Sequence, residues 1–317
     1  MVKGLVSTII PVFNRPQLLL DAVKSVLDQS YHSIEIIIVN DGSTDSTQQI
    51  IDQLCEQHSQ VTSVTIENSG PAVARQTGLS NANGEFIQFL DSDDLLNIEK
   101  FSKQVEALNQ HQDCGVSYCI QEFCDESGKL IEAAWMRSGE HFNTMFPAML
   151  GGRIWGTPVP LYRAKLLGEA GPWKDLKNQE DWEYDCRIAS LGVKLHYLRE
   201  TMVTIRRHDS SHFGQIEQKQ TEKLRDKALS YLEIYKHAKA AKISKDNLNS
   251  KRFNRMAFML LRECASSGLE KEARELYEIC VNGTSALHRK IEYYLYFALS
   301  NIAGWQRFSS FTQRVRG

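Results

Sequence analysis

The chain has 317 residues, 42% of them hydrophobic and 24% charged, which is enough to bury a full core without staples and is not the balance of a disordered protein. Its seven cysteines, at 55, 114, 119, 124, 186, 264 and 280, contain no Cys-x-x-Cys pair, which argues against a zinc ribbon or a disulfide framework and for a reducing compartment. No apolar run approaches the ~20 residues of a membrane span, and Met1 leads into a strand-like run without a signal-peptide pattern, so a cytoplasmic location is expected.

The net charge of −2 conceals an asymmetry. Residues 1–214 carry 18 basic and 28 acidic side chains, and residues 215–317 carry 19 and 11. A domain boundary is expected near 214. The acidic first part would repel nucleic acid, which is not expected as a partner.

In chain order, the β-branched runs 6–12, 34–39, 61–66 and 86–90 read as buried strands. Residues 16–29 carry apolar side chains at Leu18, Leu19, Ala22, Val23, Val26 and Leu27, a helical stripe. Residues 46–56 repeat that pattern with Asp45 as the expected N-cap, and 72–80 form a third short helix. Strand–helix alternation with continuously apolar strands predicts a parallel sheet covered on both faces, with ligands at the carboxyl ends of its strands. The region 115–214 is less regular. Strands are expected at 116–123, 129–134 and 194–198, and helices at 142–150, 163–169 and 181–190. From 215 on the pattern is helical: about 217–240, 246–266, 269–281 and 285–300.

The loops after the strands carry the chemistry. The first, Pro11-Val12-Phe13-Asn14-Arg15-Pro16, lacks the glycine-rich pattern of a dinucleotide fold or a P-loop. The second, Asn40-Asp41-Gly42-Ser43-Thr44-Asp45, places Asp41 where a strand exits, either as an acceptor for a base or ribose or as a turn residue. The third, from Asn68 through Gly70 to Arg75 and Gly78, puts small residues at a helix start, suited to phosphate. Arg75 has two expected partners, a diphosphate or a carboxylate of the next loop. The fourth is Asp91-Ser92-Asp93-Asp94. Residues two apart in an extended segment share a side, so Asp91 and Asp93 would face one site, and two facing carboxylates favour a cation between them. Oxygen ligands select Mg²⁺ or Mn²⁺.

Together these blocks resemble the inverting family 2 glycosyltransferases of GT-A fold: Pro-Val-Phe-Asn, Asn-Asp-Gly-Ser-Thr-Asp, Asn-x-Gly-x-x-x-Ala-Arg-x-x-Gly and Asp-Ser-Asp-Asp follow one another, each after an expected strand. The resemblance covers about residues 4–210. It implies an α/β class: a Rossmann-like nucleotide-binding sheet with flanking helices in 1–214 (donor half 1–112, acceptor half 113–214), followed by an all-helical basic extension, 215–317. It implies transfer of a sugar, with inversion, from a nucleotide-diphospho-sugar, expected to be a UDP-sugar, to a sugar or lipid-linked glycan acceptor. Pro11, Phe13, Asn14, Asp41, Gly70, Arg75, Asp91 and Ser92 are then the expected donor-binding residues. Asp93 is the expected ligand of a Mn²⁺ or Mg²⁺ ion, joined by His208 of Arg206-Arg207-His208-Asp209. In Asn178-Gln179-Glu180-Asp181-Trp182, Asp181 is the expected general base, with Glu180 beside it. The segment 152–158, including Trp155, Gly156 and Thr157, matches the lining of the acceptor pocket. Relatives often continue Asp-Leu-Trp-x-Arg-Leu after the base, whereas this chain has Glu183-Tyr184-Asp185-Cys186-Arg187-Ile188, and Asp185 is expected to pair with Arg187 or another nearby cation.

The basic tail has three readings: a structural cap, a dimerisation surface, or a contact with the inner face of an anionic membrane. The last follows from Tyr293, Tyr294, Tyr296, Phe297, Trp305 and Phe308 alternating with Arg289, Lys290, Arg307, Arg314 and Arg316. Two rivals to transfer chemistry stand beside the main reading. A nucleotidyltransferase would need a glycine-rich loop after strand one, which is missing. A non-catalytic donor-binding scaffold would be expected to lose Asp91, Asp93 or Asp181, all of which are present.

Overall fold

The four β-branched runs become the parallel strands of the sheet. β1 (Val2–Val12), β2 (Ile34–Asn40), β3 (Val61–Thr65) and β4 (Gly84–Phe89) lie in the order β3-β2-β1-β4. Their register runs Val6 to Ile34, Val6 to Phe86 and Ile36 to Val61. The helices α1 (Pro16–Leu27), α2 (Thr47–Gln57) and α3 (Pro71–Asn81) connect them. Beyond β4 the sheet is mixed and continues β8-β6-β9-β5. These are β5 (Leu95–Leu96), β6 (Cys114–Cys124), β8 (Leu161–Arg163) and β9 (Lys194–Arg206), with the short β7 (Leu130–Ile131) paired to β6 and with α4 (Lys100–Gln110) and α5 (Ala164–Ala170) alongside in sequence.

This computed structural model describes residues 1–131, 137–207 and 220–314. It divides into two compact units. The first is Met1–Thr144, Ile154–Asp175 and Val193–Gln215, and it holds the whole sheet. The second is Met145–Arg153, Leu176–Gly192 and Ile216–Gly317. A single division at 214 therefore differs from what forms, because 145–153 and 176–192 join the C-terminal helices. The second unit contains α6 (Glu180–Ala189), α7 (Gln220–Ala240), α8 (Leu248–Ser266), α9 (Glu270–Asn282), α10 (Leu287–Ala303) and α11 (Trp305–Arg314). Packing explains the grouping. Trp182 of α6 meets Tyr231 of α7 and Phe253 of α8 edge-on, at ring-centroid distances of 5.4 and 5.9 Å.

One local expectation is corrected. The helix expected over 142–150 is only a 3-10 turn, Ala148–Gly151, because Pro147 cannot donate to a helical ladder. Asp45 serves the start of α2 as expected, one residue ahead of the helix boundary. It accepts Thr47 N at 2.9 Å in a tight turn, and Ser46 is the residue that precedes the helix. The strand expected over 129–134 is described only as β7, its remainder lying outside the described residues. In the tail, Tyr293, Tyr296 and Trp305 are buried, Phe297 and Phe308 are half-buried, and of the six aromatic residues read as a membrane face Tyr294 is the exposed one, at 53%. Gly304, at φ 83°, ends α10 and allows α11, a fifth tail helix beyond the last one expected, which ended near 300. All seven cysteines are free thiols, six of them buried.

Two positions explain their residue type. A Cβ on Gly78 would lie 2.3 Å from Ile9 Cγ2, so glycine lets α3 pack directly on β1. Gly42 has φ 75°, and a Cβ there would lie 2.8 Å from Asn68 N, so glycine lets the second and third strand-end loops touch.

The buried lysine under the sheet yields a pH prediction. Lys100 is fully buried and donates to Gln88 Oε1 at 2.5 Å and Gln104 Oε1 at 2.6 Å. Burial lowers its pKa from 10.5 to about 8. Between those values the unfolded chain binds the proton and the folded chain does not, so this group makes stability rise with pH across that window. At about 1.4 kcal/mol per pKa unit the rise approaches roughly 3 kcal/mol. Cys119, raised to about 11 by burial, opposes it above pH 9. The measurement is therefore the difference between wild type and Lys100→Met in denaturant unfolding from pH 7 to 10, expected to shift toward wild type as pH rises. A difference independent of pH would show that Lys100 does not titrate in this window.

Candidate functional site

Four strand-end loops meet at the carboxyl edge of the parallel strands and are tied to one another by polar contacts. Asn14, in the left-handed region at φ 52°, accepts Thr44 N at 2.8 Å, and its own N donates to Ser43 Oγ at 3.0 Å. Arg15 N donates to Thr47 Oγ1 at 3.1 Å. These bonds join the first loop to the second. Asp41 is fully buried, and its two carboxylate oxygens accept Ser69 N at 2.7 Å and Gly70 N at 2.9 Å. That joins the second loop to the third and fixes the backbone at the start of α3. Pro11 is buried and Phe13 half-buried at the mouth of the same loops.

The acidic fourth loop is held by two arginines. Arg75 Nη2 pairs with Asp91 Oδ1 at 2.7 Å, the carboxylate alternative among its expected partners. Arg75 also lies over the Trp173 ring, 5.2 Å from its centroid. Arg15 Nη1 pairs with Asp93 Oδ2 at 2.5 Å, with the two side chains 11% and 13% exposed. Asp94 is buried and accepts Arg206 N at 3.2 Å. Its carboxyl is pushed well above the usual carboxylate range by burial, then by the charges of Asp93 and Asp91, against the opposing pull of Arg206. Arg206 also donates to Asp93 O and pairs with Asp21 at 2.7 Å. Asp91 and Asp93 are thus paired with arginine side chains, and Asp94 is held by the backbone N–H of a third arginine. Sequence reading singled out Arg75 alone. The signal for Arg15 was its place one residue past Asn14, and for Arg206 its place at the end of β9.

The donor set suits a hard cation. Asp91 and Asp93 offer carboxylate oxygens, and between them the buried Ser92 Oγ has no hydrogen-bond partner among the described residues. Asp91, Ser92 and Asp93 could together hold a divalent ion. His208, the other expected ligand, lies outside the described residues.

The expected base sits in the second unit. Gln179 precedes α6 in the left-handed region at φ 58°, an uncommon conformation for a residue of its length. Glu180, Asp181 and Glu183 occupy the first turn of the helix, where the dipole favours negative charge. Asp181 Oδ2 pairs with Arg153 Nη1 at 2.6 Å, and Oδ1 accepts Trp182 N at 2.7 Å. Arg153 Nε also pairs with the buried Asp185 at 2.8 Å. Arg153 is therefore the cation that Asp185 takes, while Arg187 forms a forked pair with Glu183, to which His237 adds a contact at 2.8 Å. Trp182 Nε1 donates to Met149 O at 2.6 Å and locks the helix start. The half-exposed Asp181 carboxylate is thus oriented on two sides, one turn above a buried ion pair.

Of the acceptor segment, Trp155 is fully buried in the first unit, its ring 5.3 Å from that of Tyr118. Gly156 N donates to Gln121 Oε1 at 2.6 Å, and Thr157 is 6% exposed. These residues support the sheet, and their side chains offer little surface.

The four loops and their order match a family described as glycosyl transferase family 2, whose model covers residues 7–165, half of the chain. The chain belongs to glycosyl transferase family 2. The family resemblance and the fold class read from the motifs are both borne out. Among curated relatives, the chain is 43% identical over 131 residues to TuaG of Bacillus subtilis, a glycosyltransferase named for teichuronic acid biosynthesis, with 41% of this chain and 52% of the relative covered. The chain spans about a fifth to about half the length of the first curated relatives it matches. Among solved structures, S. aureus TarS 1–349 in complex with UDP-GlcNAc aligns at TM-score 0.62 and 17% identity over 95% of this chain and 92% of that one. The mannosyltransferase PcManGT from Pyrobaculum calidifontis, in complex with GDP-Man and Mn²⁺, aligns at 0.55 and 18% over 96% and 84%. At these identities the likeness is one of fold, and it extends through the helical tail that the family model leaves out.

Proposed function

We propose that this family 2 protein is a glycosyltransferase that moves a sugar from a nucleotide-diphospho-sugar to a hydroxyl of a sugar or lipid-linked glycan precursor, with inversion. The observation that carries the reading is the convergence of four cross-tied strand-end loops on the Asp91-Ser92-Asp93 edge, with Arg15 and Arg75 beside it. Phe13 and the loop fixed by Asp41 suit a base and ribose, and the UDP-GlcNAc bound by TarS makes uridine the first nucleotide to test. Both oxygens of Asp41 already hold backbone amides, so Asp41 acts on the donor by shaping the loop at Gly70 as much as by direct contact.

A divalent ion on Asp91 and Asp93, Mn²⁺ in the mannosyltransferase neighbour, would neutralise charge on the departing nucleoside diphosphate. Arg15 and Arg75 add fixed positive charge at the same edge. Asp181, held as an oriented acceptor by Arg153, is suited to take the proton of the attacking hydroxyl, and Glu180 is the neighbouring carboxylate. The test is a donor panel. UDP-, GDP- and TDP-sugars are incubated with the chain and Mn²⁺, and release of free nucleoside diphosphate is measured with and without simple sugar acceptors. One nucleotide series is expected to turn over, faster with metal. Binding of a donor without release in any condition would favour the scaffold reading.

A further inference from the structure

α10 has two apolar faces, one of them buried and the other exposed among the described residues. Tyr293, Tyr296 and Ser300 are buried against the other tail helices. On the opposite side Leu287, Ile291, Tyr294, Leu295, Leu299 and Ile302 are 71%, 49%, 53%, 58%, 46% and 82% exposed. At 100° per residue these six fall within an arc of about 140° and run about 22 Å along the helix. His288 is the one polar residue inside that arc. Phe311 on α11 is also 64% exposed. A contiguous apolar strip of this length is more than a water-facing helix needs and marks an interaction surface.

The charge around the strip selects its partner. Across 287–314 the basic residues are Arg289, Lys290, Arg307 and Arg314; Lys290 borders the exposed arc, whereas Arg289 falls on the buried side of α10 and is paired with the one acidic residue, Glu292, at 2.6 Å. The segment 215–317 is basic as a whole. Pairing two copies through this face would bring like charges together, whereas an anionic bilayer would meet both the apolar strip and its basic surroundings. Among the described residues no helix is long and apolar enough to cross a membrane, so the geometry is that of a helix lying in the interface. We infer that the exposed face of α10 docks the protein on an anionic lipid surface. This face is not the aromatic set named from the sequence, half of which is buried in the core of the tail. The inference does not depend on the transfer reaction, and its readout is separate from donor turnover.

The full chain is mixed with vesicles of phosphatidylcholine alone, or with about a third phosphatidylglycerol, and floated on a gradient. Wild type is expected to float with the anionic vesicles and to be released in part by salt. The triple variant Ile291→Ser/Leu295→Ser/Leu299→Ser is expected to lose binding by about tenfold or more with an unchanged melting temperature. Ile302→Ser, at the most exposed position, should lose about threefold and serves if the triple variant folds poorly. Failure of wild type to bind either vesicle overturns the inference, as does undiminished flotation of Ile302→Ser together with the triple variant. So does a wild-type dimer that the triple variant converts to monomer without any flotation, because the face would then pair two copies.

Discussion

Asp181→Asn is expected to lower the transfer rate by about two to four orders of magnitude, the usual contribution of a positioned general base. The fold should tolerate the change. Asn keeps one oxygen, which can accept from Arg153 or from Trp182 N but not from both, and Arg153 keeps its second partner, Asp185, at 2.8 Å. The melting temperature and donor affinity should therefore stay near wild type while single-turnover transfer collapses. Asp185→Asn is the contrast. Asp185 is 2% exposed and faces Arg153, so its neutralisation is expected to cost about 1–3 kcal/mol of stability and less than tenfold in rate. The pair of variants separates a chemical role from a structural one on the same helix. If Asp181→Asn retains its rate within tenfold, the base lies elsewhere, and Glu180 is the next carboxylate to replace.

The sheet was legible because its strands are unbroken apolar runs and its helices keep a clean stripe. Ile36–Val39 and Leu19–Val26 could hardly be read otherwise. The loops were legible as motifs, but their wiring was not. Asp41 reads as a ligand contact or a turn residue, and only the structure shows both oxygens spent on Ser69 N and Gly70 N. Arg15 and Arg206 come from chain positions 78 and 113 residues from the acidic loop, so no local spacing announces their pairing with Asp93. The same limit applies to Arg153, which lies 28 residues before Asp181. The tail failed differently. Its aromatic residues were counted by composition, whereas the helix places Tyr293 and Tyr296 on one side and Leu295 and Leu299 on the other. The phase of the helix decides which face meets solvent, and the choice between two apolar faces of α10 is made by the neighbours it packs against.

Asp93→Ala is expected to remove the metal-dependent part of donor binding. A nucleotide-sugar at 100 times its dissociation constant should stabilise wild type by about 2.7 kcal/mol, visible as a melting shift of several degrees in Mn²⁺ and smaller without it. The variant should show the same shift with and without metal. That shift need not fall to zero. Arg15, 11% exposed and now paired with Asp93 at 2.5 Å, loses its carboxylate in the variant and is left as positive charge at the edge where a diphosphate would lie. Donor binding in metal-free buffer is therefore expected to be equal to wild type or slightly tighter. The apo variant should melt lower than apo wild type, since an arginine this enclosed is left without that partner. Each protein must accordingly be compared with its own apo state. A metal-dependent shift that survives Asp93→Ala would move the ion to other ligands. Loss of donor binding in both buffers would mean that Asp93 acts mainly by holding Arg15, and through it the first strand-end loop, in place.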